Sequence, residues 1–429
     1  MGFETAVSGI RAASSQLGII GNNIANSSTS GFKQSRGEFA DVFAASALGV
    51  ASNSIGRGVQ LTAIAQQFTQ GNISFTDSSL DLAISGTGFF MLDDGGTTRF
   101  TRSGAFAVDS EGFVTNNEGL RLQAFTADAA GQITGLIDDV RLTTSQIEPI
   151  STSEIDITAN LDSREAAPLL AFSAGVPSGF DAFGAPPTAP SADMFNGSTS
   201  LTIYDSLGNP HALTTYFVKT AVPNVWDAHV TIDGVTPGGV VAPQALTFDS
   251  TGQFPAASLP IQVAVANWDP VDSSGNPTGA STPQTFAVDL STTTQFGSDF
   301  GVSFIAQNGF SSGQLRGVEI SDTGIIFARY TNGQSFALGQ VALANFANQQ
   351  GLQPLGSTAW SETFASGVAT ISEPGTAGLG LTQSGALEDS NVDITQQLVN
   401  MITAQRNFQA NAQVIQTEDA VTQTVINLR

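Results

Sequence analysis

The chain has 429 residues, enough for two or three domains of ordinary size, and its 41% apolar content, with 29 phenylalanines, excludes wholesale disorder. Only 12% of the residues are charged, the net charge is -23, and the 14 basic residues form no cluster. Proteins that bind nucleic acid or anionic membranes need clustered Lys and Arg, so this composition argues against both classes. Cysteine is absent, which excludes disulfides, thiolate metal sites and thiol nucleophiles.

The first residues do not resemble a secretion signal. They lack a basic start, an unbroken apolar stretch and a small-residue cleavage site. No apolar run of about 18 residues, the length that spans a bilayer, occurs in the chain. We therefore expect a soluble protein without membrane insertion, which leaves the cell, if it does so, without a cleaved signal peptide.

The N-terminal segment is predicted to be an amphipathic helix. Prolines are confined to the stretch from Pro149 to Pro374, so both ends of the chain are free of the strongest helix breaker. Asn26, followed by two serines and Gly31, marks the end of the helix. Apolar residues recur at alternating steps of three and four, which is the spacing of a helix that needs a partner. This stripe consists of Phe3, Ala6, Ile10, Ala13, Leu17, Ile20 and Ile24.

The C-terminal segment is predicted to be a second amphipathic helix. Ser390 with Asp393 three residues later has the spacing of a capping box, so we expect the helix to begin there. The same apolar spacing continues through Ile394, Leu398, Met401, Phe408, Ala412 and Ile415, and a second, shifted stripe contains Val414, Val421, Val425 and Leu428. Isolated helices are marginal in water, so we expect both terminal helices to become ordered only when they pack in an assembly.

Between the ends, the pattern predicts β structure. Short alternating apolar runs separated by turn residues occupy 99–133 and 317–346, as in β-hairpins. The predicted loop tips are Asp109 to Gly112, Asn116 to Gly119, Asp322 to Gly324, and Asn332 to Gly333. The stretch 146–284 is richer in Pro, Gly and Ser, and hairpin patterning resumes near Gln284 and ends near Ala359.

We therefore predict an α+β multidomain fold in which the two terminal helices pair as a coiled-coil-like layer and two mainly-β domains are nested between them. The predicted domains are a helical core from 1–70 with 360–429, a first β domain from 71–145 with 285–359, and an inserted outer β domain at 146–284.

Three blocks of the sequence resemble the axial proteins of the bacterial flagellum. The first is Asn-Asn-Ile-Ala-Asn at 22–26, followed by Gly31, Phe32 and Lys33. The second joins DLAISGTGFFML at 81–92 to FTRSGAFAVDSEGFV at 100–114. The third is GALEDSNVDITQQLVNMITAQRNFQANAQVIQTEDAV at 385–421, in which Phe408 stands where the family usually has Tyr. Rod proteins of this family lack so large a second β domain, and the filament-junction proteins usually replace the second block, so the hook class fits best.

The resemblance implies a structural subunit rather than an enzyme. Proteins of the hook class polymerise into a curved hollow tube that transmits motor torque to the filament and lets export substrates pass. The implied partners are further copies of the chain, the distal rod, the hook cap, the hook-filament junction proteins and the export apparatus, at an extracellular position. The implied layers are the terminal helices inside, the first β domain between, and 146–284 outside. No cofactor, metal or nucleic acid is implied, and Asn22, Asn23 and Asn26 join the assembly residues on this basis.

The C-terminal helix carries a further expectation. From Ile394 to Thr417 its only charge is Arg406, and amide side chains supply the polar surface. If this helix lines the channel of the tube, such a surface neither holds apolar unfolded cargo nor traps charged segments. The channel-lining candidates are Asn400, Gln405, Asn407, Gln409, Asn411 and Gln413.

Other local patterns have plainer interpretations. The glycines at 86–88 lack the third glycine and the following helix of a nucleotide loop. His211 and His229 have no metal-ligand or triad spacing, and we expect surface or strand positions for both. The pairs Asp93 with Asp94 and Asp138 with Asp139 could serve a glycosidase, but turn-like flanks favour solvated loops. The alternatives to a hook protein are a distal rod or other axial protein, a secreted β-rich adhesin, and, third, a hydrolase.

Overall fold

The computed structural model describes residues 2–42, 56–128, 131–142, 146–174, 190–237, 243–272 and 276–427. The first elements are α1 (Gly2–Ala25), β1 (Ser35–Asp41), β2 (Val59–Gln66), β3 (Ile73–Phe75), β4 (Leu82–Ser85), β5 (Phe89–Asp93), β6 (Thr98–Thr101), β7 (Ala107–Val108), β8 (Val114–Thr115), β9 (Arg121–Ala127) and β10 (Ile133–Asp139). They are followed by β11 (Glu154–Asp162), β12 (Gly197–Tyr204), β13 (Pro210–Lys219), β14 (Val225–Ile232), β15 (Gln244–Thr247), β16 (Gln262–Trp268), β17 (Gln284–Asp289), β18 (Thr294–Phe296) and β19 (Gly301–Gln307). The last elements are β20 (Leu315–Ile320), β21 (Ile325–Tyr330), β22 (Ser335–Val341), β23 (Leu343–Asn345), β24 (Gln353–Gly356), β25 (Ala359–Ser361), β26 (Thr370–Ser372), β27 (Leu381–Ser384), β28 (Ala386–Glu388) and α2 (Ile394–Asn427). Within these described ranges, neither helix is long and apolar enough to cross a membrane.

The chain forms two compact units. The terminal unit comprises Met1–Thr144, Arg316–Arg329 and Ser335–Arg429, and the inserted unit comprises Ser145–Leu315 with Tyr330–Gln334. The two helices and the first β region, which the sequence separates into two domains, therefore fall in one unit.

The inserted unit ends later in the chain than its sequence pattern indicates. Its boundary lies at Leu315, whereas hairpin patterning places the return to the first β domain near Gln284. β17 and β18 pair in parallel with β11, and β19 pairs antiparallel with it, so 284–307 belong to the sheet of the inserted unit. Turn spacing indicates local hairpins and carries no information about which distant strand a segment joins.

The terminal unit is built on a 13-stranded sheet whose main path runs β20-β21-β22-β9-β5-β6-β25-β24. β5 lies inside this path, and successive side chains of a strand point to opposite faces of its sheet. Phe89 and Met91 pack in a cluster with Trp360, while Phe90 and Leu92 pack in a different cluster. Both faces of the strand are therefore covered, which explains why its apolar run is continuous rather than alternating.

The predicted hairpin turns are confirmed. Gly112, Gly119, Gly324 and Gly333 have φ between +80° and +88°, a backbone conformation that side chains disfavour. At the first of these turns, Asp109 Oδ1 accepts a hydrogen bond from the backbone N of Phe113 at 2.8 Å. The turn residues thus fix where each strand reverses.

The inserted unit is a β-sandwich. One sheet has the order β16-β17-β11-β18, with β19 also paired to β11, and the other has the order β12-β13-β14-β15. Alternate residues of β11 from Ile155 to Leu161 are buried, and they share one core with Phe217 and Trp226 of the second sheet. The shared core means that the two sheets face each other.

Both histidines lie on strands of this sandwich. His211 on β13 is buried, with its Nδ1 at 2.7 Å from Asp233 Oδ2 and its Nε2 at 3.7 Å from Oδ2 of the buried Asp205. Burial works against protonation of His211, but the two carboxylates outweigh it and raise the pKa of His211 above its ordinary value. Burial lowers the pKa of His229 on β14.

The pKa values of the two histidines shift in opposite directions. We therefore predict that their combined contribution to the free energy of unfolding of the inserted unit is greatest near pH 6.5, which is about the ordinary histidine pKa. The stabilising contribution of His211 is complete below about pH 6.5 and is lost as the pH rises through the raised pKa of the folded state. The contribution of His229 is lost as the pH falls below about 6.5, because only the unfolded chain then takes up the proton. Urea unfolding of the full chain in a Trp360→Phe background, where Trp226 and Trp268 report on this unit, measures both effects.

The histidine variants separate the two limbs of this pH profile. His211→Gln is expected to flatten the limb above about pH 6.5 and His229→Gln the limb just below it. An alkaline limb that persists in His211→Gln contradicts the role given to its two carboxylate partners.

Candidate assembly site

The two helices lie side by side and antiparallel, which confirms the predicted pairing of the chain ends. Near one end of the pair, Asn23 Nδ2 donates a hydrogen bond to Gln397 Oε1 at 3.4 Å. Near the other end, Gly9 packs so closely on Asn411 that a Cβ on Gly9 would lie 2.5 Å from Asn411 Oδ1. Residues that are later in α1 therefore meet residues that are earlier in α2.

The buried residues of the two helices are mainly small or polar. On α1, Ala6, Ala13 and Ile20 are at most 4% exposed. The remaining residues of the α1 stripe are less covered: Ile10, Leu17 and Ile24 are half-buried and Phe3 is exposed. On α2 the buried residues are Gln397 and Ala404, which are seven positions apart and so lie on one side of the helix.

The apolar face predicted for α2 lies beside this contact and is largely uncovered in the single chain. We use the name α2 stripe for Ile394, Leu398, Met401, Phe408 and Ile415, which share one side of the helix at 3.6 residues per turn. Ile394, Leu398 and Phe408 are 49%, 47% and 37% exposed. Val421 of the shifted stripe is also exposed, and the side chain of Val425 and all of Leu428 lie outside the described residues. An amphipathic helix with such a face requires a further partner.

The six channel-lining candidates do not share a face of α2. At 3.6 residues per turn, Asn400, Asn407 and Asn411 lie toward the side that contacts α1, whereas Gln405, Gln409 and Gln413 lie on another side. Asn411 packs against Gly9, and Asn400 Oδ1 accepts a hydrogen bond from Gln396 Nε2 at 3.1 Å. The three glutamines are exposed. Gln405 lies between Ile394 and Leu398 on the helix surface and so falls within the α2 stripe, whereas Gln409 and Gln413 remain together as candidates for one surface beside it.

The start of α2 differs from the predicted capping box. The helix begins at Ile394, and Asp393 Oδ1 accepts hydrogen bonds from the backbone N of Thr395 at 2.8 Å and of Gln396 at 3.1 Å. Ser390 Oγ reaches only the backbone N of Val392, at 3.4 Å. Asp393 is therefore itself the cap, because aspartate satisfies the first helical donors as well as serine does.

The asparagines at the end of α1 fix the path of the chain as it leaves the helix. Asn23 is buried, and its side chain accepts from the backbone N of Ser35 at 2.9 Å and donates to the backbone O of Ser35 at 2.8 Å. Asn26 Nδ2 donates to the backbone O of the exposed Asn22 at 3.0 Å, where the helix ends as predicted. The side chain of Asn23 thus makes the two hydrogen bonds to the Ser35 backbone that a neighbouring strand would otherwise make.

A buried ion triad lies where the helices join the β structure. Glu388 at the end of β28 has its Oε1 at 2.6 Å from Lys33 Nζ and its Oε2 at 3.0 Å from Arg102 Nη1. The three side chains are at most 3% exposed. Two cations therefore share one carboxylate inside the protein, and burial lowers the pKa of both Lys33 and Arg102 while Glu388 opposes that shift.

Backbone groups also bond the ion triad, although Arg102 Nε is buried without a hydrogen-bond partner. Lys33 Nζ also donates to the backbone O of Thr69 at 2.8 Å, and Arg102 Nη2 donates to the backbone O of Gly86 at 2.7 Å. Glu388 Oε1 accepts from the backbone N of Gly71 at 2.9 Å. Gly71 has no room for a side chain, since a Cβ there would collide with the backbone O of Asp389. The triad and its backbone partners thus join five separate stretches of the chain.

Asn391, two residues before the helix cap, forms further hydrogen bonds at the junction where the helices join the β structure. Its Oδ1 accepts from the backbone N of Gln34 at 2.8 Å, and its Nδ2 donates to the backbone O of Gln67 at 2.7 Å and of Thr69 at 3.1 Å. The sequence reasoning did not identify the triad or this role of Asn391. The sequence did contain a signal, because each of the three resembling blocks holds one member of the triad: Lys33, Arg102 or Glu388. Two of these residues are basic and one is acidic, in a chain that carries few charges.

The aspartate pairs considered for hydrolysis are engaged in local contacts. Asp94 pairs with Arg99, and Asp139 lies 3.2 Å from Arg121. Asp93 Oδ1 accepts from the backbone N of Gly96 at 2.9 Å in the turn after β5. These contacts fit turn and surface roles. Over the described part of the chain, no group of three or more His, Asp or Glu side chains is placed to hold a metal ion.

Four family models match the chain in order along its length. The model described as "Flagella basal body rod protein" matches 3–33, and "Flagellar hook protein FlgE/F/G D1 domain" matches 83–163. "Flagellar basal body protein FlaE D2 domain" matches 160–310, and "Flagellar basal body rod FlgEFG protein C-terminal" matches 383–428. The first and last of these models cover the two assembly helices.

Proteins named flagellar hook protein FlgE match over the whole chain. The protein from Escherichia coli strain K12 is 36% identical over 435 residues and that from Salmonella typhimurium 35% identical over 438 residues, each alignment covering 100% of both chains. The chain belongs to the FlgE family of flagellar hook proteins. FlgE of Treponema pallidum is 33% identical over 475 residues, covering 99% of this chain and 98% of that protein.

Membership of the FlgE family makes the chain a structural subunit of the flagellar hook, and the hook is a homopolymer. It also confirms the resemblance that the three sequence blocks indicated. FlgE is better supported than the rod protein, the adhesin and the hydrolase, and its family is not a known enzyme family. The crystal structure of Helicobacter pylori flagellar hook protein FlgE2 aligns with 73% of this chain and 100% of that chain, with a TM-score of 0.50 and 12% identity. At that identity the likeness supports a shared fold alone.

The ion triad predicts an unequal response to the loss of its members. Glu388→Gln leaves two buried cations without a counter-charge, which we expect to reduce the free energy of local unfolding by about 3–5 kcal/mol. Lys33→Met should reduce the free energy of local unfolding less, because the remaining Arg102–Glu388 pair has no net charge. Hydrogen exchange of the backbone amides at 386–391 in the full chain measures this free energy.

The control for this experiment is the exposed ion pair between Glu319 and Arg329. Glu319→Gln should change local stability by less than about 1 kcal/mol, since surface pairs contribute little. If Lys33→Met proves as destabilising as Glu388→Gln, the carboxylate is not the centre of the triad.

Proposed function

We propose that the antiparallel helix pair is the polymerising element of a hook subunit, and that copies of the chain build a curved hollow tube that transmits motor torque to the filament. One observation carries the proposal: the α2 stripe is apolar and largely uncovered in the single chain. Contacts between two different surfaces of identical subunits extend into a helical polymer rather than closing on themselves. In the tube, the α2 stripe packs against helices of neighbouring copies.

The pair is suited to become ordered during assembly. Its buried apolar residues are Ala6, Ala13 and Ile20 on α1 and Ala404 on α2, which is little buried apolar surface for helices of 24 and 34 residues. Burial of the α2 stripe by other copies adds the missing stabilisation, and ordering is thereby coupled to polymerisation. The ion triad and Asn391 hold the start of α2 to the β structure meanwhile, which gives the helices a fixed base for passing torque.

The same proposal includes finer partners and location. We infer that the tube lies outside the cell, joins the distal rod to the hook-filament junction proteins, grows beneath a cap, and receives its subunits from the export apparatus without a cleaved signal peptide. The two outermost family models, both described by the basal body rod, support a shared mode of packing with rod proteins. The inserted unit supplies weak outer contacts that can exchange when the tube bends.

Polymerisation tests the proposal directly. In the Ile394→Ser, Leu398→Ser double variant, the loss of two apolar contacts should raise the protein concentration needed for polymerisation by more than tenfold. Val399→Ser is the matched control, because Val399 is 53% exposed on the same helix but lies outside the α2 stripe. Sedimentation measures the polymer, and hydrogen exchange should become slow over 394–426 only when polymer forms. A double variant that polymerises like the control would contradict the role of the stripe.

A second experiment tests the channel. We propose that Gln409 and Gln413 face the bore, where their uncharged amides let unfolded chains slide past. Changing both to Leu should slow growth of the filament beyond the hook, because an apolar wall holds apolar cargo. The same two positions changed to Ser keep a polar wall and should leave growth unchanged. Equal filament lengths in the Leu and Ser variants, measured by electron microscopy, would reject the channel assignment.

A further inference from the structure

The loop between β25 and β26 presents bare apolar side chains to solvent. Phe364 is fully exposed and Val368 is 83% exposed. The loop belongs to the terminal unit, which also carries the assembly helices. A ring the size of phenylalanine removes a large apolar area from water when it is covered, so its complete exposure calls for an explanation.

The backbone of this loop is held from inside by a buried network. Ser366 is 0% exposed, and its Oγ accepts from the backbone N of Thr363 at 2.8 Å. Thr363 Oγ1 donates to the backbone O of Gly351 at 2.6 Å, and Asn348 Nδ2 donates to the backbone O of Ala365 at 3.0 Å. The backbone on both sides of Phe364 is therefore held in place, which fixes the point at which the ring leaves the loop. Such rigid aromatic groups make efficient contact anchors, because little freedom is lost on docking.

We propose that Phe364 and Val368 form a docking knob that inserts into a second copy of this chain in the assembled hook. This inference rests on the proposed function. In a homopolymer the neighbours of each terminal unit are copies of the same chain, and copies that each carry a net charge of -23 repel one another. The acidic residue of the loop, Glu362, accepts a hydrogen bond from the backbone N of Ala369 at 3.3 Å, and Thr363–Ser372 contains no charged residue, so the apolar side chains themselves can meet another copy without bringing like charges into contact. The knob and its receiving surface are different surfaces, as a helical polymer requires.

Photo-crosslinking identifies the occupant. The full-length chain with p-benzoylphenylalanine in place of Phe364 is allowed to polymerise and is then irradiated. We expect covalent dimers and longer ladders of the chain, joined from position 364 to a second copy. The same protein irradiated as dilute monomer should give no ladder. Polymer that yields no crosslink from this position, or a crosslink within one copy only, overturns the proposal.

Substitution of the ring gives an independent measurement. Phe364→Ala should raise the concentration needed for polymerisation on the order of tenfold, while Phe364→Leu, which keeps an apolar knob, should restore most of it. Trp360 fluorescence should not change, because the exposed ring supports no part of the core. Polymerisation of Phe364→Ala at the original concentration overturns the knob, whereas failure of the unaltered chain to polymerise at any concentration overturns the proposed function instead.

Discussion

One buried carboxylate organises the terminal unit. Glu388 is separated by 355 residues from Lys33 and by 286 from Arg102, yet it lies within 3.0 Å of both. Buried charges are costly unless they are paired and hydrogen-bonded, and here each of the three also bonds a backbone group. The arrangement tolerates few alternatives, so it fixes where the segment after α1, the β structure and the start of α2 come together.

This junction and the helix pair differ in how firmly they are held. The junction depends on charge pairs and on Asn391, whose partners lie within one chain. The helix pair buries mainly alanines and amides together with Ile20, and the apolar residues of the α2 stripe are largely exposed. A chain built in this way keeps a defined base and leaves the distal parts of its helices to be completed by other copies. A junction held within one chain and a helix pair that needs further contacts are what a subunit of a polymer requires.

Local sequence signals predicted the elements well, and long-range pairing was the part that they could not supply. The end of α1 at Asn26 and the glycine turns at 112, 119, 324 and 333 follow from local backbone preferences. The side of α2 that contacts α1 was not predicted, because hydrophobicity favours Leu398 over Gln397, whereas close packing at Gly9 favours small and polar partners. The boundary at Leu315 and the ion triad both depend on pairings between distant segments, which leave no mark in residue spacing.

The scarcity of charge links the assembly surfaces to one another. At physiological salt, charges are screened beyond about 8 Å, so repulsion between acidic copies acts mainly where their surfaces touch. The α2 stripe, Gln409 and Gln413 beside it, and the segment Thr363–Ser372 around Phe364 are uncharged, although the chain as a whole carries a net charge of -23. The acidic residues nearest to Phe364, Glu362 and Glu373, lie just outside that segment. The same scarcity of charge that lets copies approach closely also leaves Arg406 as the one charge between Ile394 and Thr417 that could hold a passing chain on the side of α2 that we propose to face the channel.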